Sequence, residues 1–170
     1  MKYADIEKQF EDKGFSKPQQ LYLTTRAWLE FLREQDKEIN RKVISENEYF
    51  YPEDDCPMRK GGHKKGERIT NDFDICCIVY DKPQWDDYYM HYYAECKKRG
   101  LDKGWNVAID SEARSLYNTA CNLLVDWIFE KAKSYPQFSA FKDFDVDLVK
   151  KNVIYRDKVC DLAMKIKETA

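Results

Sequence analysis

Apolar residues recur at steps of three and four along most of this chain, which is the spacing of one face of an α-helix. The longest such series runs from Leu21 to Val43, with charged residues filling the opposite face. We therefore predict a mainly α protein, a compact bundle of about five amphipathic helices. These helices are expected at residues 3–13, 16–45, 81–99, 110–133 and 145–167.

Two of the predicted helices begin with the same local pattern. Ser16 and Asp81 are each followed by lysine, proline and glutamine. A serine or aspartate at this position accepts a hydrogen bond from the first turn, and proline is tolerated there because its missing N–H costs nothing. Gly14 and Gly100 stand where glycine commonly ends a helix. These signals predict where three of the helices begin or end.

Residues 73–80 allow two interpretations. Phe73 and Ile75 alternate with aspartates, as in a β-strand, but the apolar residues of this segment also form a helical stripe. Residues 105–109 alternate as well. A small two- or three-stranded β element around 73–80 and 105–109 is therefore an open alternative beside the helices.

The segment 46–68 shows no periodicity at all. It is far longer than the few residues that usually join two helices, and such a loop is either functional or mobile. Its first part is acidic and its second part is basic, apart from Glu67. The acidic residues are Glu46, Glu48, Glu53, Asp54 and Asp55, and the basic residues are Arg59, Lys60, Lys64, Lys65 and Arg68.

Composition and charge narrow the function classes. A chain of 170 residues suits one domain, 1–170. Its 29 basic and 31 acidic residues nearly cancel, so binding to nucleic acid must come from a local patch.

The longest apolar run, residues 75–80, is too short to span a bilayer, and the N-terminus lacks the apolar stretch of a signal peptide. We expect a soluble, cytoplasmic protein without a membrane partner, with its six cysteines reduced.

Aromatic and acidic residues are interleaved in two stretches, 48–55 and 85–89. Tyrosine and tryptophan dominate the energetics of protein interfaces. The alternative is that these aromatic residues are buried and the acids only keep the surface soluble. The predicted partner-binding residues are Tyr49, Phe50, Tyr51, Glu53, Asp54, Asp55, Trp85, Asp86, Tyr88 and Tyr89.

Residues 59–68 form a basic loop with three glycines. Glycine lets a backbone approach a phosphate closely, and lysine and arginine supply the charge that dominates nucleic-acid affinity. The signature of a nucleotide-triphosphate loop is absent, and a merely solvated loop is the alternative. The candidate phosphate or nucleic-acid contacts are Arg59, Lys60, His63, Lys64, Lys65 and Arg68.

Four zinc-type ligands lie within one stretch: Cys56, His63, Cys76 and Cys77. Structural zinc sites usually use close ligand pairs two to four residues apart. The spacing here fits no such template, so we expect no metal at these residues.

A carboxylate–histidine–carboxylate stripe is formed by Asp87, His91 and Glu95, which are four residues apart and share one helical face. These residues could hold a metal or act as general acid and base, or they could form an exposed polar stripe. No nucleophile elbow, zinc-protease motif or dinucleotide fingerprint occurs in the chain. We predict no catalytic residue and no cofactor.

The function that fits these features best is a non-enzymatic accessory or inhibitory protein. It would dock a larger protein or nucleoprotein partner, of the kind that handles nucleic acids, through the aromatic-acidic surface and the 46–68 loop. Direct nucleic-acid binding by the basic loop 59–68 is the alternative. A metal-dependent enzyme using Asp87, His91 and Glu95 is a distant third.

Overall fold

A computed structural model describes residues 2–54, 63–101, 107–134 and 145–166. The protein is mainly helical, with 74% of the described residues in helices, which confirms the predicted class. The described residues form seven helices. These are α1 (Tyr3–Gln9), α2 (Lys17–Glu46), a 3-10 helix (Asp72–Tyr80), α3 (Lys82–Lys98), α4 (Val107–Ala132), α5 (Val146–Lys151) and α6 (Val153–Ala163).

The predicted caps of α2 and α3 are confirmed. Ser16 N–H donates to Gln19 Oε1 at 2.8 Å, and Gln19 N–H donates to Ser16 Oγ at 3.3 Å, so the pair forms a reciprocal capping box. Asp81 accepts a hydrogen bond from Gln84 N–H, and a proline lies in the first turn of α3. Gly100 follows α3 with φ +75°, the left-handed conformation that glycine adopts without strain.

The β element considered for residues 73–80 and 105–109 is wrong, since none of the described residues belongs to a strand. Residues 72–80 form a 3-10 helix, in which Ile75 and Ile78 share one buried face and Phe73 and Val79 are exposed. This three-residue repeat is that of a 3-10 helix, where positions i and i+3 eclipse. Residues 107–109 lie in the first turn of α4, and 105–106 fall outside the described residues.

Several boundaries differ from prediction. Helix α1, predicted for residues 3–13, ends at Gln9. Helix α4 begins at Val107, three to four residues before the predicted cap. The single last helix is instead two helices, because Asn152 adopts an extended conformation between α5 and α6. The side chain of Asn152 accepts hydrogen bonds from the N–H groups of Ile154 and Tyr155, at 3.1 and 3.2 Å, and so starts α6 as its N-cap.

The described helices fall into two compact units, and the boundary lies within α2. The first unit comprises Met1–Glu30 and Ser111–Ala170. Its core joins α2, α4, α5 and α6 through Tyr22, Cys121, Leu124, Val125, Ile128, Val149, Val159, Cys160 and Ala163. Leu124 and Ile128 are fully buried, whereas Trp28 and Trp127 are only half-buried.

The second unit comprises Phe31–Asp110, and thus contains the 3-10 helix and α3. Its apolar core includes Leu32, Ile39, Val43, Ile44, Ile69, Cys77, Ile78 and Cys96. Four tyrosines are buried beside them: Tyr49, Tyr51, Tyr88 and Tyr92. The candidate site residues that the structure describes all belong to this unit, while the single domain expected for 1–170 stays a prediction.

Candidate functional site

The long 46–68 segment is closed at its base by backbone hydrogen bonds. Phe50 and Arg68 form an isolated antiparallel bridge. Beside it, Tyr51 N–H donates to the Glu67 carbonyl and Gly66 N–H donates to the Tyr51 carbonyl, both at 2.9 Å. Gly66 has φ +88°, so this tight return of the chain favours glycine. The segment is therefore anchored at residues 49–51 and 66–69.

Two tyrosines predicted for the partner surface lie in the interior. Tyr49 is 1% exposed and Tyr51 is 4% exposed. The Tyr49 hydroxyl donates to Asp87 at 2.9 Å, and the Tyr51 hydroxyl donates to Asp74 at 2.6 Å. Burial raises the pKa of Tyr49, and its hydrogen bond to Asp87 adds to the effect. These side chains hold the loop base against the 3-10 helix and α3.

The basic loop is divided between exposed and buried residues. His63, predicted as a phosphate contact, is 3% exposed and stacks on the Tyr51 ring, with the ring centroids 3.8 Å apart. Lys64, Lys65 and Arg68 are exposed. Predicted contacts Arg59 and Lys60 lie outside the described residues, as does the acidic residue Asp55. The acidic and basic halves meet where Lys65 N–H donates to Asp54 Oδ1 at 2.6 Å; Glu53 is exposed nearby in the chain.

A layer of tyrosine hydroxyls connects α3 to the second half of α2. Tyr92 donates to Asp36 at 2.5 Å, and Tyr88 donates to Asn40. Burial raises the pKa of both tyrosines, and the nearby Asp36 carboxylate raises it further. Tyr88, predicted for the partner surface, is thus an interior residue at 6% exposure.

An ion-pair network continues this layer towards the end of α3. Glu95, which is 8% exposed, accepts hydrogen bonds from Lys42 Nζ at 2.9 Å and from Arg99 Nε at 3.0 Å. Arg99 also donates to Glu38 at 2.7 Å. The hydrogen bond from Lys42 lowers the pKa of Glu95, and Arg99 lowers it further. A buried carboxylate with two cationic partners is well stabilised in its ionised form.

Two residues of the stripe on α3 contact each other, since His91 Nδ1 lies 3.4 Å from Asp87 Oδ2, whereas Glu95 has other partners. Asp87 accepts the Tyr49 hydroxyl, and Glu95 accepts Lys42 and Arg99. His91 Nδ1–H donates to the Asp87 backbone carbonyl at 2.8 Å. Within the described parts of the chain, no group of three or more His, Cys, Asp or Glu side chains is placed to hold a metal ion.

The zinc-type ligands are similarly dispersed. His63 stacks on Tyr51, Cys77 is 1% exposed in the 3-10 helix, and Cys76 Sγ donates to the Phe73 carbonyl at 3.4 Å. Cys56 lies outside the described residues. The five described cysteines, which also include Cys96, Cys121 and Cys160, are thiols.

An aromatic ridge forms the outer face of α3. Trp85, Tyr89 and Tyr93 are four residues apart, and their rings contact in sequence, with centroids 4.7 and 5.3 Å apart. Each of the three is partly exposed. Asp86 and Met90 are exposed on the same helix, Met90 at 61%. Sequence analysis named Trp85, Asp86 and Tyr89 but missed Tyr93 and Met90, although the spacing of four residues signals Tyr93.

The two predicted aromatic-acidic stretches are brought together by one glutamine. Gln84 accepts from Phe50 N–H at 2.8 Å and donates to the Phe50 carbonyl at 3.0 Å. Phe50 is 40% exposed, and Gln84 directly precedes Trp85. The exposed ring of Phe50 thus lies on the loop beside the start of the aromatic ridge.

Comparisons with protein-family models, curated proteins and solved structures return no significant match to this chain. No helix within the described ranges is long and apolar enough to cross a lipid bilayer.

Proposed function

We propose that this protein is a non-enzymatic accessory or inhibitory protein that docks a larger protein partner through the aromatic ridge of α3. The observation that carries the proposal is the continuous ring contact of Trp85, Tyr89 and Tyr93 on a partly exposed helix face. Tryptophan and tyrosine are the residues most enriched in binding hot spots. Met90 adds an adaptable apolar contact next to them.

The ridge is supported from beneath, which favours binding. Trp85 stacks on Tyr88 with the ring centroids 5.6 Å apart, and Tyr88 is itself fixed by its hydrogen bond to Asn40. Side chains that are already restrained lose less conformational entropy when a partner covers them. A supported ridge therefore converts more of its contact energy into affinity than loose surface aromatics would.

The charges around the ridge favour a basic partner. Asp86 and Asp87 are exposed on α3, and Glu53 and Asp54 are exposed on the loop whose base Gln84 joins to this helix. Complementary charge steers association and suppresses wrong partners. Proteins that bind nucleic acid carry basic surfaces, so a partner that handles nucleic acid fits this surface.

The test has two stages. Affinity capture from the native host, with and without nuclease, identifies a candidate partner, and calorimetry on the purified pair then measures its affinity. Trp85→Ala with Tyr89→Ala should weaken binding by roughly 100-fold or more, because hot-spot truncations typically cost at least 2 kcal/mol each. Tyr80→Ala is the matched control, since Tyr80 is an aromatic residue of the same unit and is 82% exposed. Equal affinities for the double variant and wild type would refute the ridge as the interface.

Nucleic-acid binding by the basic loop is the second candidate, supported by the exposure of Lys64, Lys65 and Arg68. The two candidates respond differently to salt and to charge. Affinity for nucleic acid falls steeply with salt, whereas an aromatic-centred interface is less sensitive. Neutralising Glu53 and Asp54 should weaken a basic protein partner but leave or improve nucleic-acid binding, because it removes repulsion of phosphate.

A further inference from the structure

A pocket of about 340 Å³ lies between the last turns of α2 and the chain that leads into the 3-10 helix. The α2 side is formed by Arg41, Ile44 and Ser45, and the other side by Arg68, Ile69, Thr70 and Asp72. Sequence analysis considered Arg68 only as part of the basic loop and did not single out Arg41. The pocket is separate from the aromatic ridge of α3.

Two arginines give this pocket its chemistry. A guanidinium carries five N–H donors in a planar fork that matches the oxygens of a phosphate group. Arg41 and Arg68 stand on opposite sides of the pocket, so one anion can receive donors from both. Thr70 contributes a hydroxyl to the lining. Ile44 and Ile69 are 5% and 1% exposed and form an apolar floor beneath the two exposed arginines.

The existing ion pairs of the two arginines are long. Arg41 Nε lies 3.6 Å from Asp72, and Arg68 Nη1 lies 4.0 Å from Glu48. Charge-assisted hydrogen bonds are shorter, at roughly 2.7–2.9 Å. Arg68 also donates from Nη2 to the Asn47 carbonyl, at 3.5 Å. An entering phosphate can therefore form shorter bonds than those it replaces. It must displace the carboxylate of Asp72 from Arg41, since the Asp72 side chain lines the pocket and is only 17% exposed.

The surroundings of the pocket favour a phosphate that belongs to a chain. Lys64 and Lys65 are exposed a few residues before Arg68 and extend the positive charge along the surface of the loop. Phe73, which follows Asp72, is 71% exposed. Proteins that bind single-stranded nucleic acid combine basic grooves with exposed aromatic rings on which bases stack.

We propose that the pocket between Arg41 and Arg68 binds a backbone phosphate of single-stranded nucleic acid. This inference rests on the second candidate function and deepens it, by giving it a defined phosphate site that includes a residue of α2. It is independent of the protein partner proposed for the α3 ridge.

The test measures binding of fluorescein-labelled oligothymidylate and oligouridylate to the full chain by fluorescence anisotropy over a series of salt concentrations. Arg41→Ala and Arg68→Ala should each weaken binding about tenfold or more, since a hydrogen bond to a charged group is lost. The double variant Arg41→Ala with Arg68→Ala should also reduce the slope of log affinity against log salt by roughly 0.7, the value for one phosphate contact on a single strand, because the two arginines share that phosphate. The two oligonucleotides distinguish DNA from RNA as the source of the phosphate.

Three further variants separate the possible explanations. Arg33→Ala removes the same charge from the exposed surface of α2 outside the pocket, and should bind like wild type. Arg41→Lys keeps the charge but loses the fork, so it should bind between wild type and Arg41→Ala. Arg41→Lys also controls for a folding defect in Arg41→Ala. Lys64→Ala with Lys65→Ala tests the loop alone.

Several results would overturn the inference. Wild-type protein that shows no saturable binding to either oligonucleotide excludes the site. Binding that depends on Lys64 and Lys65 but not on Arg41 removes the pocket and leaves the basic loop as the contact. Stronger binding to a phosphoserine peptide or to duplex DNA than to either single strand shows that the ligand class is wrong.

Discussion

The two units differ in how their interiors are held together. The core of the first unit is built around α4 from aliphatic residues and thiols, such as Leu124, Ile128 and Cys160, which are all 0% exposed. The second unit also buries tyrosines, whose hydroxyls bond to Asp36, Asp74 and other side chains. Burial of aliphatic surface is non-directional, whereas hydrogen bonds in a protein interior require a defined geometry. Directional bonds also occur in the first unit, where the buried Gln19 donates to the Ala163 carbonyl at 2.9 Å. Bonds between buried tyrosines and carboxylates, however, belong to the unit that carries the α3 ridge.

The largest expected loss of stability comes from a substitution in the aliphatic core of the first unit. Leu124→Ala should lower the free energy of unfolding by about 2–5 kcal/mol, because it removes a fully buried side chain and leaves a cavity. Leu123→Ala is the matched control on the neighbouring position of α4, where the leucine is 44% exposed, and it should cost much less. Chemical denaturation measures both. Equal losses for the two variants would mean that the core of this unit is placed wrongly.

A smaller effect is expected from one hydroxyl in the second unit. Tyr51→Phe keeps the ring that stacks on His63 but removes the donor to Asp74, a carboxylate that is 5% exposed. Taking a partner from a buried polar group should cost about 1–3 kcal/mol. Tyr80→Phe, at an exposed tyrosine, should leave stability unchanged. A neutral Tyr51→Phe would show that the directional bonds of this unit contribute little.

The ion-pair network should appear as a pH dependence. The pKa of Glu95 is lowered in the folded protein by Lys42 and Arg99. The contribution of Glu95 to stability is therefore complete above the ordinary pKa of 4.5, and it is lost as the pH falls through the lower pKa of the folded state. Glu95→Gln should therefore flatten the loss of stability in acid, measured by urea unfolding at a series of pH values. Glu130→Gln, at an exposed glutamate of the first unit, is the control for charge alone. An acid profile that Glu95→Gln leaves unchanged would contradict this role.

The smallest change in stability is expected from substitutions in the exposed part of the 46–68 loop. Lys64→Ala with Lys65→Ala should change the free energy of unfolding by less than about 1 kcal/mol, since exposed charges contribute little to stability. The melting temperature should then stay within a few degrees of wild type. A large drop would mean that these lysines take part in folding, and that loss of binding in this variant says nothing about a contact.

Local signals in the sequence were sufficient for much of the helical framework. Ser16 and Asp81 predicted the starts of α2 and α3 because capping depends on residues within one turn. The 3-10 helix was ambiguous, since short apolar runs do not separate a strand from a helix by period. The break at Asn152 carried a usable signal, because asparagine is a preferred N-cap, but the apolar spacing continues across it.

The candidate site was less predictable, because burial depends on contacts distant in sequence. Tyr49 and Phe50 are adjacent, yet Tyr49 reaches Asp87, 38 residues away, and is buried, while Phe50 is exposed. Alternating aromatic and acidic residues do not reveal which rings face inward. The spacing places Trp85, Tyr89 and Tyr93 on one face of the helix. Tyr88 and Tyr92 are also four residues apart and are buried, so the spacing alone does not show which face is exposed.

The closed base of the 46–68 segment also bears on how this protein tolerates change over evolution. Because Phe50 and Arg68 are paired and Tyr51 is bonded to Gly66 and Glu67, the ends of the intervening chain are held independently of its length. Doubling the length of such a loop adds only about 0.6 kcal/mol of closure entropy. As far as closure entropy is concerned, a change in length between these paired ends therefore costs little stability, and evolution can vary the loop there without reopening its base.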